Sequence, residues 1–125
     1  MTSLARVAED FGLLTGIWLD EFETDWIHSI QFEFERGLLT VGIDIDTDTI
    51  QTEVGETRSE KPSGRKLADP WQALISSSVR WIWVLTNHRG FRDGLQIEFS
   101  KDEQDTDLQI MAEASRLWTY RLVPL

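Results

Sequence analysis

The sequence predicts an α+β, β-rich fold of two pseudo-twofold-related units, each a short helix plus four antiparallel strands, forming a curled sheet, barrel or sandwich. Three observations carry this. Residues 79–86 are mostly β-branched or aromatic, Asn87 to Gly90 is a turn signal, and Leu95, Ile97 and Phe99 alternate with Gln96, Glu98 and Ser100, which is the pattern of a β-hairpin. The same pattern recurs 65 positions earlier, where residues 17–36 align without gaps on 82–101 with five identities: Ile, Trp, Gln, Glu and Phe. About one identity is expected from average residue usage. Between the copies, residues 55–68 are nearly all polar and include Pro62 and Gly64, a loop composition.

The elements follow in order. Leu4, Val7, Ala8 and Phe11 fall at i, i+3, i+4 and i+7, so residues 2–11 are predicted to be an amphipathic helix capped by Thr2 or Ser3 and ended by Gly12. Strands are predicted at 15–22, 27–36 (Ile30, Phe32 and Phe34 inward), 38–46 (Val41, Ile43 and Ile45 on one face) and 50–54. Asp69 at the N-cap and Pro70 at N1 open a second short helix with Trp71, Leu74 and Ile75 as its apolar face. Residues 79–86 are apolar on both faces, as a central strand buried on both sides would be. Residues 101–106 form an acidic loop, and strands at 107–114 and 116–123 close the chain before Pro124. Inserting two residues in the second copy brings Val41-Gly42-Ile43 over Leu108-Gln109-Ile110 and Ile50 over Leu117. The expectation is one domain over residues 1–125, with an internal repeat of 1–54 and 67–123.

Composition bounds the function. At 125 residues and 41% hydrophobic content the chain can build one real core. It contains no Cys, which excludes disulfides and thiolate chemistry and fits a reducing compartment. No basic segment followed by an apolar run opens the chain, and no apolar run approaches 18 residues, so the expected location is cytoplasmic, without a membrane segment. The net charge of −10 is uneven. Residues 1–54 carry Arg6 and Arg36 against twelve carboxylates; residues 55–125 carry ten basic and ten acidic side chains. The sign opposes nucleic-acid binding, which needs Lys and Arg for phosphates, and admits a basic partner.

The run Leu67-Ala68-Asp69-Pro70-Trp71-Gln72-Ala73-Leu74-Ile75, then Trp81-Ile82-Trp83, Leu85-Thr86-Asn87 and Gly90-Phe91-Arg92-Asp93-Gly94-Leu95-Gln96, resembles a family of small bacterial proteins catalogued only as a domain of unknown function. The resemblance covers mainly residues 67–122. It implies a bacterial source and an uncharacterised role, and transfers no site residue.

Candidate chemistry is sparse. Asp44-Ile45-Asp46-Thr47-Asp48 opens like a calcium loop, but Thr49 and Gly55 stand where an EF-hand needs Gly and Glu, so the segment reads as a solvated strand face, with a weak divalent-cation site as the minor alternative, and no metal or cofactor is expected. His28 aligns with Asp93 across the repeat; if the hairpins pack about a pseudo-axis, the two could meet as a His–carboxylate pair, in a general base or a structural hydrogen bond. No hydrolase elbow, zinc-protease motif or phosphate loop is present in the sequence. Trp18 and Trp83 are expected to be buried with their indole N–H groups bonded. Trp81 and Trp83 share one face of their strand, where aromatics can also serve an interface.

Two function classes survive. The first is a small acidic, non-catalytic protein-binding domain, in one form an immunity or inhibitor-type protein covering a basic partner, with Asp20, Glu21, Glu23 and Asp25 at the tip of the first hairpin as contacts. The second is a small hydrolase or isomerase using a His–carboxylate pair. The missing motifs favour the first. A homodimer stays open.

Overall fold

The computed structural model describes residues 3–23, 26–56, 65–66 and 71–122. A helix α1 (Ser3–Glu9) precedes strands β1 (Leu14–Glu23), β2 (Trp26–Phe34), β3 (Gly37–Asp44), β4 (Thr49–Gly55) and β5 (Arg65–Lys66). A 3₁₀ turn (Trp71–Leu74) then leads into β6 (Ser78–Thr86), β7 (Arg92–Lys101), β8 (Gln104–Glu113) and β9 (Arg116–Leu122). The strands form one strongly curled half-barrel sheet of antiparallel pairs. Two meanders, β1 to β4 and β6 to β9, are joined where Ile27 of β2 pairs with Leu117 of β9. No helix among the described residues is long and apolar enough to cross a membrane.

Period-2 alternation decides which face is buried. Ile30, Phe32 and Phe34 of β2 and Leu95, Ile97 and Phe99 of β7 all lie in the core, as their pattern predicts. The curl brings β4 against β7 and β8, while α1 packs on β6 and β4 and delivers Val7 to the core. Phe11, just past the helix, lies with its ring centroid 5.8 Å from that of Phe34.

The two first hairpins share a register. Ile17 faces Phe32, Trp18 faces Gln31 and Leu19 faces Ile30; 65 positions later Ile82 faces Ile97, Trp83 faces Gln96 and Val84 faces Leu95. Register shifts fall at matching places, between Leu14 and Gly16 and between Val79 and Trp81. Farther along, the expected alignment is corrected. Ile30 faces Val41, but Leu95 faces Ile110, so Val41 answers to Ile110 rather than to Leu108. The reason is a longer second hairpin. β2 and β3 end at Phe34↔Gly37, whereas β7 and β8 continue past Phe99↔Thr106 to Ser100↔Asp105 and Lys101↔Gln104. The predicted acidic loop at 101–106 is therefore mostly ladder, closed by Asp102 and Glu103 at positive φ.

Other boundaries also move. The first helix, Ser3–Glu9 among the described residues, ends before Phe11, and the third strand stops at Asp44. The second helix is a single 3₁₀ turn; its proposed cap, Asp69 and Pro70, lies outside the described residues. Within the predicted 55–68 loop, β5 pairs with β1 at Trp18↔Lys66 and Leu19↔Arg65. The largest correction concerns β6. It ends the strand order rather than occupying its centre, and its Trp81 and Trp83 side chains are exposed.

Candidate functional site

Of the proposed acidic contacts, Asp20, Glu21 and Glu23 lie in the last residues of β1. Asp20 and Glu23 are exposed and Glu21 is half-buried; Asp25 lies outside the described residues. β1 is irregular here, with register shifts between Asp20 and Glu21 and between Glu21 and Glu23. Such bulges twist a strand and re-aim its side chains. Glu23 faces Trp26 across the end of the hairpin.

Trp26 ties this tip to the second meander. Its indole N–H donates to the Ser115 carbonyl at 3.2 Å. The Arg116 guanidinium carbon stands 4.7 Å from the Trp26 ring centroid and 4.2 Å from that of Trp118, within the range of a cation–π contact to each ring. Asp48 accepts from the Ser115 N–H at 2.7 Å. The Ala114-Ser115 turn, at positive φ in both residues, is thus gripped by two elements of the first meander. Positive φ is unfavourable for side-chain-bearing residues, and these two bonds hold the turn in place.

Beyond Trp118 the outer face of the second meander is rich in large side chains. The ladders align Trp83, Gln96, Gln109 and Tyr120 in one row and Trp81, Glu98, Asp107 and Leu122 in the next. Trp81 is 57% exposed, Trp83 41% and Tyr120 44%. The expectation that Trp83 is buried is therefore wrong, whereas Trp18 is 9% exposed and its Nε1 donates to Glu33 Oε2 at 3.3 Å. The two indoles hold the same register position, so their neighbours decide the difference. A Cβ on Gly16 would stand 3.1 Å from Trp18 Nε1, so the indole lies over bare glycine backbone. The matching position in β6 is Trp81, which leaves Trp83 no such bed.

One carboxyl cluster is embedded in this face. Glu98 lies opposite Asp107, and Arg80 reaches Glu98 at 3.7 Å and Asp105 at 3.0 Å. Desolvation, then the charges of Asp107 and Asp105, push Glu98 above its usual value near 4.5, with Arg80 opposing them. Two carboxylates cannot hydrogen-bond unless one keeps a proton. Asp107 Oδ1 is buried without a donor among the described residues.

The other sequence candidates do not assemble. β9 and β8 lie between the strands carrying His28 and Asp93, roughly 14 Å along the sheet at the usual strand spacing. Asp93 instead accepts from Asn87 Nδ2 within its own hairpin at 3.2 Å. Residues 45–48 form a turn rather than a strand face: the Asp46 N–H donates to Asp44 Oδ1 at 3.0 Å, and Asp48 turns away to Ser115. Among the described residues no group of three His, Cys, Asp or Glu side chains is placed to hold a metal ion. Sequence reasoning missed Arg116 and the Glu98–Asp107 pair, since both depend on cross-strand register.

No curated protein and no solved structure matches the chain. A family model described as a family of unknown function matches residues 5–124, so the likeness reaches well beyond the 67–122 segment, into the first meander. The chain, over nearly its whole length and both meanders, belongs to the family of unknown function DUF6334.

Proposed function

We propose that this protein is a non-catalytic binding domain for a basic protein partner, an arrangement suited to an immunity or inhibitor role. One observation carries the reading: the acidic tip and the aromatic outer face are continuous. Glu23 pairs with Trp26, Trp26 shares Arg116 with Trp118, and Tyr120 follows Trp118 on the same face of β9; Trp83 lies farther out on that face, across β8 and β7. Carboxylates beside exposed indole and phenol rings suit Lys and Arg side chains, which pair with the former and stack on the latter. The surplus of carboxylates in residues 1–54 supplies the long-range attraction.

The test is capture of the partner from the host, identified by mass spectrometry, followed by association rates at two salt concentrations. Replacing Asp20, Glu21, Glu23 and Asp25 by Asn and Gln should slow association and flatten its salt dependence while leaving the denaturation midpoint in place. Equal rates at low salt for the two proteins would remove the acidic tip from the interface.

We also infer that the two meanders are copies of one unit in a single domain. Support comes from the shared hairpin register and from reciprocal packing, since β4 approaches β7 and β8 as β9 approaches β2 and β3.

A further inference from the structure

The interior face of the second meander departs from the rule that made the core. Thr119 lies opposite Ile110 and Arg121 opposite Leu108, both core residues, so the ladder aims a hydroxyl and a guanidinium at the concave side. In the first meander Thr52 faces Val41 and Val54 faces Leu39 at the corresponding places. Where the first meander has the half-buried Val54, the second has the exposed Arg121 on the same side of the sheet. An exposed guanidinium lining an apolar space is available to an anion.

The space these residues face is a cavity of about 440 Å³. In the first meander, Phe11 fills the matching space: its ring lies over Phe34 and so close to Gly37 that a Cβ there would clash with it. The equivalent pair in the second meander is Phe99↔Thr106, and both line the cavity. Trp71 and Leu74 of the 3₁₀ turn form its wall and Leu108 part of its floor. Lys101 also lines it, with Nζ anchored on the Ile75 carbonyl at 3.0 Å; an ammonium has further donors to offer. Asp102 is the lining carboxylate among the described residues.

We propose that this cavity binds a small organic carboxylate with a flat or apolar body. The volume falls in the range of ligand pockets, which combine apolar walls with a few convergent polar groups. Trp71, Phe99 and Leu108 take the body. Arg121 offers a planar fork matched to a carboxylate and Lys101 a second positive charge, with the Thr106 and Thr119 hydroxyls as further partners. Asp102 opposes a second negative charge, which favours a monoanion over a phosphate dianion. The site is independent of the partner surface proposed above, which lies on the outer face.

The test is a proton–nitrogen NMR titration of the full chain with benzoate, benzamide and inorganic phosphate. Benzoate should give saturable shifts centred on the Trp71 indole N–H and the Thr106 and Thr119 amides. Benzamide should bind about tenfold more weakly, for want of the charge-assisted pair. Arg121→Gln and Lys101→Gln should each weaken benzoate and leave benzamide unchanged, with spectra elsewhere intact. Neutralising the acidic tip should not change benzoate binding. The proposal fails if benzoate does not bind, if benzamide binds as tightly, if phosphate matches benzoate, or if the shifts centre on Trp81 and Trp83.

Discussion

Gly37→Ala tests the closest packing in the core. Phe11 is 1% exposed, and its ring stands across Gly37 so tightly that a Cβ built there would lie 2.3 Å from ring carbons. The ring is wedged against Phe34 at 5.8 Å with planes tilted by 52°, so it cannot swing away cheaply. No positive φ is recorded at Gly37, so the backbone accepts alanine and the cost is steric. Overpacking of this kind costs about 1–3 kcal/mol, against roughly 0.4–1 kcal/mol gained from a stiffer unfolded chain. A net loss of about 1–2 kcal/mol is expected. Phe11→Ala should cost about 3–5 kcal/mol, the range for deleting a buried aromatic ring. Once the ring is gone the clash goes with it and the new methyl fills part of the void, so Gly37→Ala in that background should be neutral or stabilising. The double-mutant cycle should therefore show a coupling of about 1–3 kcal/mol. Urea denaturation of the four proteins measures it. Additivity within about 0.5 kcal/mol would mean that Phe11 does not sit on Gly37, and would also undercut the claim that Phe11 fills the space left open in the second meander.

Two further predictions separate buried from exposed chemistry. Trp18→Ala should cost about 3–5 kcal/mol, whereas Trp83→Ala should stay within about 1 kcal/mol; equal midpoint shifts would show that the Gly16–Trp81 difference does not decide burial. Glu98→Gln should alter the pH profile of stability: because the folded state raises this carboxyl above its usual value near 4.5, the folded protein binds more protons between that pH and the raised value, and the wild type loses stability as pH rises through the window. The variant should lose less, so its advantage should grow from about pH 4.5 upward and then level off; parallel profiles in a pH series of denaturation curves would refute the assignment.

What was legible in the sequence was what period 2 encodes. The inward faces of β2 and β7 follow from Ile30-Gln31-Phe32-Glu33-Phe34 and Leu95-Gln96-Ile97-Glu98-Phe99 alone, because alternation maps directly onto the two faces of a strand. The place of β6 in the sheet was not legible. Residues 79–86 are apolar on both faces, and a central strand and an edge strand with an aromatic outer face give the same pattern. The 45–48 turn was hidden because Asp44 closes it by a side-chain bond to the Asp46 N–H, and the longer β7–β8 hairpin because Asp102 and Glu103 turn at positive φ without a glycine. β5 is two residues long and made by pairing rather than by pattern. The acidic tip was visible as a charge run; the cavity was not, since Arg121 is placed at its lining only once the register opposite Leu108 is known.

The edge position of β6 also bears on how a partner would dock. An exposed edge strand invites pairing with another chain, and proteins blunt such edges with bulges, charges or covering elements. β6 carries all three: register shifts beside Arg80 and before Thr86, the charge of Arg80 itself, and α1 packed against the strand. Strand addition there would have to cross two irregular stretches within nine residues. The face is different. Trp81 and Trp83 stand on a regular ladder segment, with Glu98 and Gln96 opposite, and β1, where Trp18 takes the corresponding place, is flanked by β5. The same residue at the same register is thus packed away in one meander and offered to solvent in the other. Core stability does not require that difference. A partner that uses this surface will meet side chains on its face rather than backbone along its edge, and its affinity should respond to Trp83→Ala and Tyr120→Ala more than to substitutions along the free edge of β6.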